Sequence, residues 1–89
     1  MTILREAEEL IRGERAVVYG DAKINHDRIA ALWNAYITGK YGVSSLEAID
    51  AAIMMMLVKI ARLEHTPNHR DSYVDIAGYA ELGDWITND

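Results

Sequence analysis

Lys59 and Arg62 stand three residues apart at the end of the most apolar stretch of the chain, so helical spacing puts them on adjacent ground of one face. Arginine offers a planar bidentate fork and lysine a compact charge, the make-up of a phosphate clamp. The same side chains also suit simpler roles, reaching past apolar surface to solvent or capping a helix C-terminus, where the dipole favours cations. Asp71 and Asp75 are four apart, and on a helix their carboxylates project from one face and repel unless something positive lies between them. Mg²⁺ meets that need, since it prefers oxygen ligands and is commonly held by one or two carboxylates plus substrate phosphates. The structural alternative puts Asp71 in a first helical turn, favoured by the dipole, and pairs Asp75 with Lys59 or Arg62.

Glu47 and Asp50 form a second acidic pair at three-residue spacing. Glu47 already has a place in a capping box, Ser44-Ser45-Leu46-Glu47, which leaves Asp50 the more telling of the two as a metal ligand. Nine residues separate Asp50 from Lys59, about 180° around a straight helix. If both are functional they therefore serve different sites, contributed in one arrangement by different subunits. Tyr19, Asp21, Asn25 and His26 cluster near a turn and offer polar lining for a nucleotide pocket, although turn and capping duty explains Asp21 and Asn25 equally well. His65 and His69 have the spacing of a helical metal pair, but Pro67 lies between them and a zinc site is not expected. Neither a serine–histidine–aspartate arrangement nor a glycine-rich phosphate loop can be read, and the absence of cysteine excludes a thiol nucleophile, a disulfide framework and thiolate metal ligation.

Four segments with helical periodicity position these residues, and none shows sustained two-residue alternation. The first carries Ile3, Leu4, Ala7, Leu10 and Ile11 on one face, with Thr2 as N-cap and Gly13 as stop. Residues 14–24 have no clear period, and Tyr19-Gly20-Asp21 reads as a turn. The second helix is expected from about Asn25, its cap, to Thr38, burying Ile29, Leu32, Trp33, Tyr36 and Ile37 and ending at Gly39. The third runs from the Ser44 capping box to Pro67, about 30 Å long and apolar nearly all round between Ala51 and Val58. A helix of that kind must be surrounded, by other helices or by another subunit. The fourth, from about His69 to Ile86, places Tyr73, Ile76, Ala77 and Ala80 at core spacing, with Gly78 and Gly83 as weak points. The fold class expected is all-α, a four-helix bundle-like single domain over residues 1–89, completed by oligomerisation.

At 89 residues, 51% hydrophobic and 26% charged, the chain has the composition of a globular domain but is short enough to be marginal alone. A net charge of −5 argues against duplex nucleic acid as a partner while leaving room for a local patch that holds one nucleotide. The longest apolar run, Ala51 to Val58, is far shorter than the roughly 20 residues a membrane span needs. The N-terminus reaches Arg5-Glu6 before any long apolar stretch, unlike a signal peptide, so the expected location is cytoplasmic.

Val18-Tyr19-Gly20-Asp21, the run Arg28 to Tyr36, Lys59-Ile60-Ala61-Arg62-Leu63 and the run His69 to Ala80 together resemble a family of small phage and prophage proteins, the DUF6378-like domain of unknown function. The likeness covers nearly the whole chain, and Lys-x-x-Arg followed by Asp-x-x-x-Asp-x-x-Gly-Tyr is its most specific part. It implies the host cytoplasm as the place of action and names no activity. More distantly the pattern looks like the MazG-like, all-α nucleoside triphosphate pyrophosphatases, in which Glu-x-x-Glu on one helix and Glu-x-x-Asp on a later one hold Mg²⁺ that activates water against the triphosphate. Glu47-x-x-Asp50 and Asp71-x-x-x-Asp75 sit in the corresponding order. That resemblance implies a Mg²⁺-dependent nucleotide pyrophosphohydrolase acting as a dimer or tetramer, with Asp71, Asp75, Asp50 and Glu47 at the metal and Lys59 and Arg62 on phosphate. The alternatives are a non-catalytic protein that binds or sequesters a nucleotide, and a structural helical assembly in which Lys59, Arg62, Asp71 and Asp75 form an ion-pair network.

Overall fold

The computed structural model describes residues 1–13 and 21–88, which form α1 (Ile3–Arg12), α2 (Ala22–Tyr41), α3 (Ala48–His65) and α4 (Arg70–Asn88). No strand occurs among the described residues. The first helix follows its local signals: Thr2 Oγ1 accepts the Arg5 N–H at 3.2 Å, and the Gly13 N–H donates to Glu9 O at 2.8 Å. A Cβ at position 13 would lie 2.6 Å from Glu9 O, so the chain can turn away this closely only with glycine there.

The second helix starts earlier and ends later than its apolar pattern suggests. Asp21, not Asn25, is its N-cap, with Oδ1 accepting the Ile24 N–H at 3.1 Å. The helix continues through Gly39 to stop at Gly42, whose φ of +91° supplies the left-handed turn that frees its N–H to donate to Thr38 O. Its inward side runs through His26 and Ala30 to Trp33 and Ile37, whereas Leu32 and Tyr36, expected in the core, are 72% and 67% exposed. Apolar residues occupy two sides of this helix, and a stripe alone does not say which side finds a neighbour.

The cap of α3 also moves, from Ser44 to Glu47. Asp50 Oδ2 accepts the Glu47 N–H at 2.8 Å, so Asp50 takes the reciprocal carboxylate position three residues into the motif. Ser44 is drawn away because its hydroxyl donates to Asn34 Oδ1 across the α2–α3 connection. The Leu46 N–H reaches the same oxygen at 2.8 Å, and Asn34 Nδ2 donates to Leu46 O at 2.9 Å. A single amide on α2 thus satisfies the backbone that leads into α3.

Lys59 meets Asp75 at one end of the α3–α4 pair while Ile49 and Ala52 meet Gly83 at the other, so these helices run antiparallel. α1 lies along α4 in the same direction, with Arg70 bonded to Glu6 near one end and Ile11 against Gly78 further on. The buried apolar residues among those described are Ala7, Ala30, Ala48, Ala51, Ala52 and Val74. Larger groups are displaced outward: Ile53, Leu57, Val58 and Ile60 on α3 are all exposed, as are Tyr73 and Ala80 of the expected α4 core. The glycines expected as weak points, Gly78 and Gly83, are buried at helix contacts.

Asn34→Ala removes the amide that satisfies the α2–α3 connection and leaves Leu46 with unpaired backbone groups. Urea unfolding should show a loss of about 2–3 kcal/mol, and a change below about 0.5 kcal/mol, the usual range at plain surface sites, would mean the loop holds without it.

Candidate functional site

The inward spacing of α4 places Asp75, Gly78, Tyr79, Leu82 and Ile86 along one side, and these residues floor a cavity of about 980 Å³. At 1.5 Å per residue the strip from Asp75 to Ile86 is about 16 Å long. It is polar at the Asp75 end and apolar at the Leu82–Ile86 end. α3 contributes Lys59 and Arg62 to the polar end, the start of α2 contributes Asp21, Asn25, His26 and Lys23, the last paired with Asp27 at 3.1 Å, and Ala7, Leu10 and Ile11 of α1 complete the wall.

Lys59 Nζ lies 3.1 Å from Asp75 Oδ2, and the two side chains are only 12% and 23% exposed. Each therefore neutralises a charge that would otherwise be held part-way out of water, and neither can be removed alone without leaving the other uncompensated. Arg62, one turn further along α3, is exposed and has no ion-pair partner among the described residues. Among the described residues that line the cavity, Lys59 and Lys23 are thus compensated cations and Arg62 is one without an ion-pair partner.

Asp21 and Asn25 reach the cavity wall, though Oδ1 of Asp21 is committed to capping α2. Tyr19 lies outside the described residues. Asp71 is exposed and does not line the cavity, so only one member of the Asp71–Asp75 pair faces it. Glu47 and Asp50 sit at the N-terminus of α3, where Asp50 is engaged with the Glu47 backbone. Nine residues of helix put Asp50 about 14 Å from Lys59 along the axis, and α3 and α4 run antiparallel, so Asp50 and Asp71 lie at opposite ends of the pair. Among the described residues no group of three or more histidine, aspartate or glutamate side chains comes together where it could hold a metal ion. The four carboxylates of one chain therefore do not fit a shared Mg²⁺ site. His69 is likewise engaged, its Nδ1 2.7 Å from the Ser72 hydroxyl.

Sequence reasoning missed Tyr79, which packs edge-to-face on His26 with ring centroids 6.1 Å apart. The signal was available in His26, a polar residue in register with Ala30 on the inward side of α2. It also missed Trp85 in the cavity wall, held by an Nε1–H bond to Glu81 at 2.7 Å and by the Arg12 guanidinium 4.8 Å above its ring.

Residues 2–87 match the family model described as a domain of unknown function, DUF6378. The chain is 56% identical over 80 residues to the Gene 55 protein of Mycobacterium phage L5, an alignment that covers 90% of this chain and 49% of that protein. It is 44% identical over 79 residues to the Gene 55 protein of Mycobacterium phage D29, covering 89% of this chain and again 49% of the relative. The chain thus spans about half the length of the curated relatives it matches. No solved structure matches it.

The half-buried ion pair predicts strong coupling. Lys59→Met and Asp75→Leu should each cost about 1–3 kcal/mol. The double variant should cost less than their sum by about 1 kcal/mol or more in chemical denaturation, whereas additive costs would mean the two charges do not sense each other.

Proposed function

The chain belongs to the DUF6378 family, with phage proteins among its relatives, and on that premise we propose that it is a phage protein that binds a nucleotide in the cavity walled by all four helices and sequesters it without turnover. The observation that carries this reading is the polarity gradient of the cavity: Arg62 and Lys59 at one end, aromatic and aliphatic side chains at the other. A nucleotide has the same division. Its phosphates suit the arginine fork, with the lysine as a second point charge, and its base suits the ring of Tyr79 and the apolar wall beyond. The acidic balance of the whole chain restricts this to a small anion, because a polyanion would meet repulsion outside the cavity.

Mg²⁺-dependent pyrophosphohydrolysis is the second reading, favoured by the presence of Asp75 in the cavity wall and by the MazG-like order of the acidic motifs along α3 and α4. It would require carboxylates beyond those that the described residues of one chain bring to the cavity. Incubation of the protein with the common nucleoside triphosphates, in Mg²⁺ or in chelator, separates the readings by chromatography and mass spectrometry. Sequestration gives depletion of one unaltered nucleotide in both conditions, weakened roughly tenfold by Arg62→Ala, in line with loss of a charged hydrogen bond. Monophosphate and pyrophosphate formed only with Mg²⁺ would replace it with hydrolysis. No change in any species would leave a structural assembly role.

The outward face of α3 supports self-association as part of this function. Ile53, Leu57 and Ile60 recur at helical spacing and are about half exposed. Covering them with the same face of a second copy would contribute on the order of 2–5 kcal/mol per chain, a large addition to a protomer whose buried apolar residues are nearly all alanine. Sedimentation equilibrium should return a multiple of the chain mass for the native protein and the single-chain mass for Leu57→Lys. A native protein that stays single at high concentration would overturn this.

A further inference from the structure

His26 is 2% exposed, lines the cavity, and is used by nothing described so far. Its Nδ1 lies 2.8 Å from Ala22 O, and a carbonyl only accepts, so Nδ1 carries a proton and donates. In the neutral ring this leaves Nε2 with a lone pair. That atom is buried and has no hydrogen-bond partner among the described residues. A buried polar atom without a partner costs roughly 1–3 kcal/mol, so an acceptor held in the wall of a cavity is explained if something that enters the cavity satisfies it.

We infer that His26 Nε2 is the acceptor that reads the base: it takes a hydrogen bond from an N–H on the edge of a nucleobase seated against Tyr79. Asp75 and Tyr79 are four residues apart on α4, one turn or about 6 Å, so His26, which packs on Tyr79, stands one turn from the phosphate end. That offset suits a sugar between the two contacts. Tyr79 packs edge-on against the imidazole, and the Ala22 bond fixes its tautomer, so the acceptor is set before the ligand arrives. A ring that lacks an N–H donor at this edge would leave Nε2 unpaired and bind less well. The inference rests on the nucleotide reading above and adds to it the residue that senses the base.

Two substitutions divide the imidazole's functions. His26→Asn places an amide near Nδ1, able to keep the bond to Ala22 O, and removes the Nε2 acceptor; His26→Gln places an acceptor near Nε2. Equilibrium dialysis of the four common ribonucleoside monophosphates against native protein, both variants and Arg62→Ala should show His26→Asn losing roughly ten- to hundredfold in affinity for the preferred nucleotide, with His26→Gln recovering most of it. Competition by inorganic phosphate should survive in His26→Asn and fail in Arg62→Ala. Native protein that binds nucleotide while His26→Asn binds it equally well would overturn the role of His26 and leave the nucleotide reading standing. Failure of the native protein to bind any of the four would overturn both. If His26→Asn does not fold, the imidazole ¹⁵N resonances of the native protein decide: Nε2 must shift on addition of the bound nucleotide and Nδ1 must not, and an unmoved Nε2 refutes the inference.

Discussion

Three alanines on α3, at positions 48, 51 and 52, and a glycine on α4, at position 83, set how closely the two long helices approach. Ile49 and Ala52 rest against Gly83 because nothing larger than hydrogen stands between them and the α4 backbone. This contact is made at one end of the pair only. Towards the other end the facing residues are Lys59 and Asp75, a long and a short side chain whose charged groups meet at 3.1 Å. The first turns of α2 join that end, and the cavity runs from the ion pair along α4, with α1 and α2 as its further walls. Tight packing at one end and a charged bridge at the other are two consequences of one gradient in side-chain size.

The same gradient explains the outer surface. With the small side of α3 turned inward, its branched residues Ile53, Leu57 and Ile60 are left outside. Among the described residues the fully buried apolar set is alanines and one valine, while the larger apolar side chains are only partly covered, so each gains less than full burial would give. The stability of the protomer then rests heavily on capping and on polar closures such as the Asn34 amide, which fixes the α2–α3 connection at three points.

Much of the fold was legible because it is local. Thr2, Gly13 and Pro67 act within a few residues of themselves, and the helices they bound lie where their spacing predicted. What failed depended on partners distant in sequence. Ser44 looked like a cap until Asn34, ten residues earlier, claimed its hydroxyl; the capping box then formed one motif later with Glu47 and Asp50. Leu32 and Tyr36 obeyed helical periodicity yet lie on the side of α2 without a neighbour. At the site, the charge types were enough to mark Asp75 as a partner for Lys59 or Arg62, and only the structure assigns it to Lys59 and leaves Arg62 exposed. They were not enough to separate Asp71 from Asp75, since four-residue spacing puts both on one face but does not say how wide the cavity mouth is.

The balance of charges at that mouth constrains what can bind. Among the described residues of the wall Lys59 is compensated by Asp75 and Lys23 by Asp27, and Asp21 adds a carboxylate, so the cation left for an incoming anion is Arg62. Arg62 is exposed, so its attraction for a unit charge at 4 Å lies between about 1 kcal/mol in water and about 4 kcal/mol at the effective dielectric of a protein surface. Against the entropy of immobilising a ligand, that holds a free phosphate only weakly. The remaining affinity has to come from the apolar part of the cavity, from Tyr79 through Leu82 to Ile86, together with the acceptor on His26. A ligand that carries charge at one end and a flat, donor-bearing ring at the other uses all three sources at once. A site whose cation is half spent on its own aspartate must select for that shape, since charge alone would not retain the ligand.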